Sequence, residues 1–267
     1  MRILGIVGSP HRDGLTHRLV GSALAGAREA GAETEVLYAA DYGMDSCRAC
    51  GGPCWDSQEC RNAPAAREVS ARVAEAEGLV LGAPVYFWQV NGLTACLMDR
   101  VRMPGRLVLS GPPQGRPALG IAIAGGSGTG LVAAVQSLYK YLQIWGYRAL
   151  EPLPVSRFNL EDALEQAAAQ GRRMATLSQQ PFADLGEIMA HYTRLPFLRW
   201  DTVDEIHYLS GLIEGHLTEC ESNRELFARL REERAQAERL LAAGEREAAA
   251  AHVAQAYQAG MQAWEQV

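Results

Sequence analysis

Short apolar runs alternate with segments of helical periodicity along residues 1–180, and this alternation restricts the possible folds more than any other feature of the chain. The apolar runs predict strands at residues 3–8, 34–39, 78–83, 118–124 and 148–155. The spacing between them predicts helices at residues 16–30, 65–77, 93–102, 131–145 and 161–177. Strands that are apolar on both faces and alternate with helices form a parallel sheet covered on both sides. We therefore predict an α/β fold built on a doubly wound five-stranded parallel sheet.

The charge distribution changes near residue 180. Residues 1–180 contain 17 basic and 16 acidic residues, whereas residues 181–267 contain 8 and 15. The second part has an all-helical pattern that Pro196 interrupts, and it contains Ser222-Asn-Arg-Glu225, which is typical of a capping box at a helix N-terminus. We predict a domain over residues 1–180, with a cysteine-rich loop at 41–64, followed by a helical extension over residues 181–267.

Charge and composition argue against several classes of function. The net charge of −6 disfavours a nucleic-acid partner, because domains that bind nucleic acids are usually basic. Lys140 is the single lysine and does not follow a glycine, so the sequence contains no Walker A motif. The longest apolar stretch, residues 78–88, is about half of the ~20 residues that span a bilayer. Because residues 1–10 also lack a secretory signal pattern, we expect a cytoplasmic protein with no membrane partner.

A glycine-rich turn, Gly8-Ser-Pro-His-Arg-Asp-Gly-Leu-Thr16, connects the first predicted strand to the first helix. The N–H groups at a helix N-terminus and the positive end of the helix dipole together attract anions. Ser9, His11, Arg12 and Thr16 add side-chain donors. The Gly-x-Gly-x-x-Gly fingerprint of dinucleotide sites is absent, so the turn predicts a site for one phosphate. An ordinary strand-to-helix turn is the alternative.

Two further loops follow the third and fourth predicted strands. Ala83-Pro-Val-Tyr-Phe-Trp88 contains three consecutive aromatic residues, which suit the rim of a planar ring. Ala124-Gly-Gly-Ser-Gly-Thr-Gly130 lets the backbone approach a ligand closely, because glycine has no Cβ atom. Each loop alone is also compatible with ordinary turns and core aromatics. Ligands of open α/β sheets bind beyond the carboxyl ends of the strands, where all three loops are predicted to lie.

Four motifs follow one another along the chain: Gly8-Ser-Pro with Gly14 and Thr16, then Ala83-Pro-Val-Tyr-Phe, then Asp99-Arg100, then Gly125-Gly126. This order resembles that of the flavodoxin-like NAD(P)H-dependent FMN reductases, and the resemblance is strongest to their iron–sulfur flavoprotein branch. It covers about residues 1–155. It implies a flavodoxin-like fold with FMN as the cofactor.

The same resemblance implies roles for individual residues. The first loop would hold the FMN phosphate through Ser9, His11, Arg12, Gly14, Leu15 and Thr16. The second loop would border the ribityl chain and flavin through Pro84, Val85, Tyr86 and Phe87. The third would lie along the isoalloxazine ring through Gly125, Gly126 and Ser127. The family usually has asparagine where Leu15 stands and arginine where His11 stands, so contact with the phosphate should be reduced at both positions.

The cysteines are concentrated in one segment. Cys47, Cys50, Cys54 and Cys60 lie within fourteen residues, and four thiolates are the ligand set of a [4Fe–4S] cluster. The iron–sulfur flavoprotein branch carries such a run, usually with Cys-x2-Cys-x2-Cys spacing, from which Cys54 is displaced by one residue. Zinc, or thiols without metal, are the alternatives. The isolated Cys96 and Cys220 are predicted to be buried small apolar residues.

Together with the cysteine run, the family resemblance implies an FMN-dependent oxidoreductase with a [4Fe–4S] cluster beside the flavin and with NAD(P)H or a reduced iron–sulfur protein as donor. No catalytic acid or base is evident, and flavin chemistry does not require one. The first alternative is an NAD(P)H-dependent FMN or quinone reductase without a cluster. The second is a non-enzymatic redox sensor or electron carrier that docks a protein partner.

Assembly and the role of the extension complete the hypothesis. The family resemblance implies a homodimer or homotetramer that uses small-molecule or protein donors and acceptors. We predict that residues 181–219 pack on the first domain or on a neighbouring subunit, near the flavin, where they narrow substrate access. The final helical hairpin would support oligomerisation. A helical appendage remote from the site is the alternative.

Overall fold

A parallel sheet forms the centre of the structure, a computed structural model that describes residues 1–51, 54, 60–101 and 115–266. Its strands are β1 (Arg2–Val7), β2 (Glu33–Tyr38), β3 (Gly78–Tyr86), β4 (Gln89–Val90), β5 (Pro117–Ile123), β6 (Arg148–Ala149) and β7 (Leu153–Val155). The order is β2-β1-β3-β5-β6, with β7 also beside β5, and these neighbours pair in parallel. The short β4 pairs antiparallel with β3 as a hairpin. The predicted doubly wound sheet is confirmed.

The fifth predicted strand is divided into two pieces. β6 pairs with the start of β5, and β7 pairs with its end. Pro152 lies between the two pieces, and proline has no N–H group to donate to the ladder. The predicted position of the strand, residues 148–155, is therefore correct, but the prediction of one continuous strand is wrong.

Helices cover both faces of the sheet, within two residues of their predicted bounds. Helices α1 (Leu15–Glu29) and α5 (Leu160–Thr176) bury apolar side chains against one face. On the other face lie α2 (Pro64–Glu75), α3 (Gly92–Arg100) and α4 (Leu131–Ile144). Short 3-10 turns occur at Ala39–Tyr42 and Arg157–Asn159. Because both faces are covered, the strands need no polar alternation, which explains their near-continuous apolar sequence.

The strand order fixes where a ligand can enter. From β1 the chain passes to β2 on one side, and it then returns to β3 on the other side of β1. The two neighbours β1 and β3 pair from Ile3↔Gly78 to Val7↔Gly82. Their loops leave the sheet in opposite directions at the carboxyl edge, which opens the crevice known as a topological switch point. The first two predicted binding loops flank this crevice.

The chain continues in four helices, α6 (Leu185–Arg194), α7 (Thr202–His216), α8 (Arg224–Ala242) and α9 (Arg246–Glu265), as the pattern predicts. Pro196 lies in the break between α6 and α7. The predicted capping box at Ser222 is wrong, because the N-cap of α8 is Asn223 and makes no side-chain capping bond. The Asn223 side chain instead accepts from Cys220 N and donates to Thr218 O. Within the described ranges, every helix is too short or too polar to cross a membrane.

The extension shares a core with the sheet. Phe182, Ile188, Tyr192 and Leu209 are buried in the same apolar cluster as the side chains of α2 and α4. The Tyr192 hydroxyl donates to Tyr147 O at 2.7 Å. The prediction that this segment packs on the first domain is confirmed. A separate cluster joins α7, α8 and α9 through buried residues that include Ile213, Phe227 and Leu230.

Candidate functional site

The three predicted loops converge at the carboxyl edge of the sheet. Gly8 N donates to Gly82 O at 2.8 Å, which ties the first loop to β3. A Cβ atom on Gly130 would lie 2.3 Å from Trp88 Cα, so the third loop touches the hairpin that follows β3. The fold therefore brings residues 8, 88 and 130 together at the carboxyl edge of the sheet. This is the arrangement that the resemblance implied.

The first loop presents an uncapped helix N-terminus. Helix α1 begins at Leu15 after the N-cap Gly14, which makes no side-chain capping bond, and the first turn contains no acidic residue. Ser9 and Thr16 are 4% and 3% exposed, so their hydroxyl groups lie inside the loop. The Ser9 Oγ accepts from His11 N at 3.1 Å and shapes the turn. Free N–H groups and a positive dipole end with two hydroxyl groups beside them fit an anion such as a phosphate.

Two charged or polar candidates of this loop lie toward the surface. His11 is exposed. The Arg12 guanidinium donates to Asp41 and lies 4.6 Å from the centroid of the Tyr38 ring. Arg12 is therefore engaged at the end of β2, and its contact with a phosphate stays a prediction.

A buried clamp that the sequence analysis missed holds the first loop. The Asn91 amide donates to Gly8 O at 2.9 Å, and the Thr94 hydroxyl donates to the same oxygen at 3.1 Å. Both side chains are almost fully buried, and Asn91 is the N-cap of α3. A Cβ atom on Gly8 would lie 2.0 Å from Thr94 Oγ1, so only glycine fits here. The Asn-Gly-Leu-Thr capping pattern at 91–94 was the available signal.

The second loop is a strained hairpin turn. Pro84 is buried and Val85 is half-buried, whereas Tyr86, Phe87 and Trp88 are 44%, 99% and 71% exposed. The central residues of the turn, Phe87 and Trp88, have φ values of 48° and 62°. Two-residue turns of this hand strongly favour Asn-Gly, and each bulky residue in the left-handed region costs about 1–2 kcal/mol. Such strain persists mainly at functional sites.

The third loop leaves open space beside its first glycines. A Cβ atom on Gly125 or Gly126 would meet no atom within 4 Å. The turn closes through Gly128 N, which donates to Gly125 O at 3.0 Å. The Ser127 and Thr129 hydroxyl oxygens lie 2.9 Å apart. The exposed backbone at 125–126 can therefore lie flat against a planar ligand.

The extension contacts the third loop and the first turn of α4 at three places, and the sequence analysis predicted none of the residues involved. The Glu205 carboxylate from α7 accepts from Val132 N at 3.1 Å and is 8% exposed. Leu209 packs so closely on Gly128 that a Cβ atom there would lie 2.9 Å from its Cδ2. The Tyr257 hydroxyl from α9 donates to Ser127 O at 2.7 Å. Burial raises the pKa of Glu205, while hydrogen bonds from the backbone of Val132, Gly130 and Leu131 oppose that rise.

The end of α3 organises the cysteine segment. Arg100 is 2% exposed, and its guanidinium donates to Asp45 O at 2.7 Å, to Ser46 O, and to Cys60 Sγ at 3.0 Å. Asp99 accepts from Cys47 N at 3.2 Å. Burial acts to raise the pKa of Cys60, but the Arg100 hydrogen bond and backbone N–H groups outweigh it and lower the pKa. A thiolate at Cys60 is thereby favoured, which is the form that binds metal.

The remaining cysteines are placed as follows. Cys47 and Cys50 are exposed, and Cys54 is partly buried. Residues 52–53 and 55–59 of this segment lie outside the described residues. Among the residues that are described, no three His, Cys, Asp or Glu side chains come close enough together to hold a metal ion.

The two isolated cysteines differ in burial. Cys96 is partly buried, but Cys220 is exposed, so the predicted burial of Cys220 is wrong. Cys220 lies in the turn before α8, beside Ser222 at 3.1 Å.

A cavity of about 650 Å³ opens beside the cysteine segment. Its wall includes Cys47, β4, and the facing sides of α3 and α4. Met98 and Trp145 contribute apolar surface, and Asp99 and Lys140 contribute charge. The volume is within the range of small-molecule sites.

Comparison with known proteins decides the family. The sequence model of the NADPH-dependent FMN reductases matches residues 1–154. The chain belongs to this family. An iron–sulfur flavoprotein of Methanocaldococcus jannaschii is 34% identical over 146 residues, covering 54% of this chain and 72% of that protein. One from Methanosarcina thermophila is 27% identical over 146 residues, covering 55% and 75%.

Solved structures share the fold. RosB with a bound intermediate, 8-demethyl-8-formylriboflavin-5'-phosphate, superimposes with a TM-score of 0.52 at 15% identity, over 73% of this chain and 86% of that one. The predicted membership in the FMN reductase family and its iron–sulfur flavoprotein branch is confirmed. The protein is an FMN-dependent oxidoreductase that uses small-molecule electron donors or acceptors.

Proposed function

We propose that FMN binds at the switch-point crevice, with its phosphate at the N-terminus of α1 and its ring between the hairpin and the third loop. The observation that carries this proposal is the uncapped N-terminus of α1 with the buried Ser9 and Thr16 beside it. The open backbone at Gly125 and Gly126 and the exposed aromatics of the turn supply surfaces for a planar ring. Bound FMN supplies the redox chemistry, since it takes up two electrons together and releases them singly.

Each part of the chain has its own task in this proposal. The first loop binds the phosphate, with Gly14, Leu15 and Thr16 offering backbone N–H groups and His11 and Arg12 lying at the entrance. Pro84 and Val85 support the turn that carries Tyr86 and Phe87. Asn91 and Thr94 keep the first loop in place. The strain at Phe87 and Trp88 is consistent with side chains selected for contact with the ring or the acceptor rather than for folding.

The cysteine segment is the proposed site of a [4Fe–4S] cluster, with Cys47, Cys50, Cys54 and Cys60 as ligands. The Arg100 hydrogen bond that helps to lower the pKa of Cys60 favours it, and so do the iron–sulfur flavoprotein relatives. A reductase without a cluster is the second candidate, and the exposure of Cys47 and Cys50 favours it. We further propose that the electron donor is NAD(P)H or a reduced iron–sulfur protein. The proposal also includes a homodimeric or homotetrameric state, a domain boundary at residue 180 and a cytoplasmic location.

The phosphate site is tested by removing its hydroxyl groups. We expect the purified protein to bind FMN in preference to FAD. Ser9→Ala and Thr16→Ala should each weaken FMN binding by about 1–3 kcal/mol, about 5- to 150-fold in Kd, because each loses a hydrogen bond to a charged group. Fluorescence titration of the apoprotein measures this. Thr176→Ala, which removes an exposed hydroxyl at the end of α5, is the control. Preference for FAD, or no flavin binding, would contradict the proposal.

The cluster is tested by metal content. After anaerobic purification we expect iron and acid-labile sulfide at four atoms each per chain, as a [4Fe–4S] cluster requires. Cys→Ser at position 47, 50, 54 or 60 should lower the iron content and leave FMN bound. Cys96→Ser, a partly buried cysteine on α3, should change neither. Full FMN occupancy with zinc, or with neither iron nor sulfide, would instead favour the reductase without a cluster.

A further inference from the structure

We propose that Glu205, a residue of the extension, is a positioning residue that sets the shape of the third loop and the charge at the N-terminus of α4, and thereby the relative affinity for oxidised and reduced FMN. The inference rests on the proposed FMN site along Gly125–Ser127. It gives the extension a part in the redox reaction itself. The part of the chain that matches the family model ends at residue 154, before α7, the helix that carries Glu205.

The first observation is a helix cap supplied from a distance. Helix α4 begins at Leu131 after Gly130, which has a φ of 91° and no side chain to cap the helix. The cap comes instead from Glu205, which is 73 residues further along the chain and accepts from Val132 N at 3.1 Å. The backbone N–H groups of Gly130 and Leu131 face the same carboxylate and act to lower its pKa. Burial raises the pKa of Glu205. The hydrogen bond from Val132 N and the positive end of the α4 dipole act against that rise and stabilise the ionised carboxylate.

The second observation is that neighbouring contacts fix the same loop. Leu209, one turn further along α7, fills the space against Gly128. Tyr257 from α9 donates to Ser127 O at 2.7 Å. Glu205 thus holds the first turn of α4, and Leu209 and Tyr257 hold the third loop immediately before it. The loop conformation depends on α7 and α9 as well as on its own glycines.

The third observation is the contrast between two helix N-termini at the same edge. The N-terminus of α1 has no side-chain cap and no acidic residue in its first turn, whereas that of α4 is occupied by a buried carboxylate. Of these two N-termini, that of α1 is the one left open to an anionic group. A ring lying on the third loop is next to the Glu205 carboxylate, which when ionised opposes the positive dipole end of α4. Such a charge disfavours the reduced state of a bound flavin, since that state carries more negative charge.

The test compares two carboxylates of the extension. Glu205→Gln keeps an acceptor oxygen and removes the charge, whereas Glu233→Gln removes a carboxylate between α8 and α9, where Glu233 lies 2.6 Å from His252 Nδ1. Glu205→Gln should raise the affinity for reduced relative to oxidised FMN about tenfold, which equals about 30 mV in a two-electron midpoint potential. Glu205→Asp should restore most of the wild-type potential. Glu233→Gln should leave it unchanged.

A second readout uses the apoprotein. Hydrogen exchange at the amides of Gly130, Leu131 and Val132 should be about tenfold faster in Glu205→Gln than in the wild type and unchanged in Glu233→Gln. An unchanged potential in Glu205→Gln, or an equal shift in Glu233→Gln, would overturn the proposal, and so would unchanged exchange. Failure of the wild type to bind FMN would defeat the proposed function instead, and the exchange measurement would still decide whether Glu205 holds the loop.

Discussion

Replacing Arg100 with methionine is expected to lower the free energy of unfolding by about 2–4 kcal/mol and to release the segment that carries the cysteines. Arg100 is almost fully buried, and it binds two backbone carbonyl groups, of Asp45 and Ser46, and the Cys60 sulfur. The acceptors belong to exposed or partly buried residues, so water compensates part of the loss, and each hydrogen bond to the charged guanidinium contributes about 1–3 kcal/mol. Methionine fills part of the volume but donates nothing, so all three acceptors lose their partner at once.

Urea denaturation measures the loss of stability, and the alkylation of Cys60 as a function of pH measures the change at the thiol. Burial raises the pKa of Cys60, and the hydrogen bond from Arg100 acts against that rise. Without Arg100 the pKa of Cys60 should therefore be higher, and half-maximal alkylation should move to higher pH. Arg72→Met is the matched control. That arginine pairs with Glu35 and Glu68 at the surface, where such pairs contribute about 0–1 kcal/mol. An equal loss of stability in both variants would contradict this role for Arg100.

Local pattern was sufficient to predict most of the fold. Strand and helix positions follow from apolar periodicity, since each element of the sheet domain is long enough to show its own period. The sequence also predicted the three loops, because parallel strands bring their carboxyl ends to one edge. The interruption at Pro152 was missed because the flanking residues, Leu150 and Leu153, keep the apolar pattern across it.

The interactions that complete the site could not be read from local pattern. Asn91 and Thr94 act on an oxygen 83 and 86 residues away, and only the pairing of β1 with β3 brings them there. In the sequence Glu205 looks like an ordinary solvent-facing acidic residue of α7, and only the structure shows its burial against α4. Arg12 belongs to the phosphate-loop motif but is engaged by Asp41. Tertiary contacts of this kind depend on the packing of helices that are distant in sequence.

The contacts of the extension could not be predicted from local pattern either. Two leucines of equal burial best test whether the extension contributes to the flavin site. Leu209 and Leu230 are both fully buried, but Leu209 lies in the core shared with the sheet and touches the third loop, whereas Leu230 lies in the cluster of α7, α8 and α9. Leu209→Ala and Leu230→Ala should each lower the free energy of unfolding by about 2–5 kcal/mol, because each leaves a cavity.

FMN affinity should separate the two variants. Leu209→Ala removes the side chain that fills the space at Gly128, so the loop gains freedom that FMN binding must then remove. We expect weaker FMN binding in Leu209→Ala and near-normal binding in Leu230→Ala, measured at a temperature where both remain folded. Deletion of residues 181–267 cannot make this distinction, because it would also uncover the shared core around Tyr192 and Tyr147. If both variants bound FMN like the wild type, the extension would stabilise the fold without shaping the flavin site.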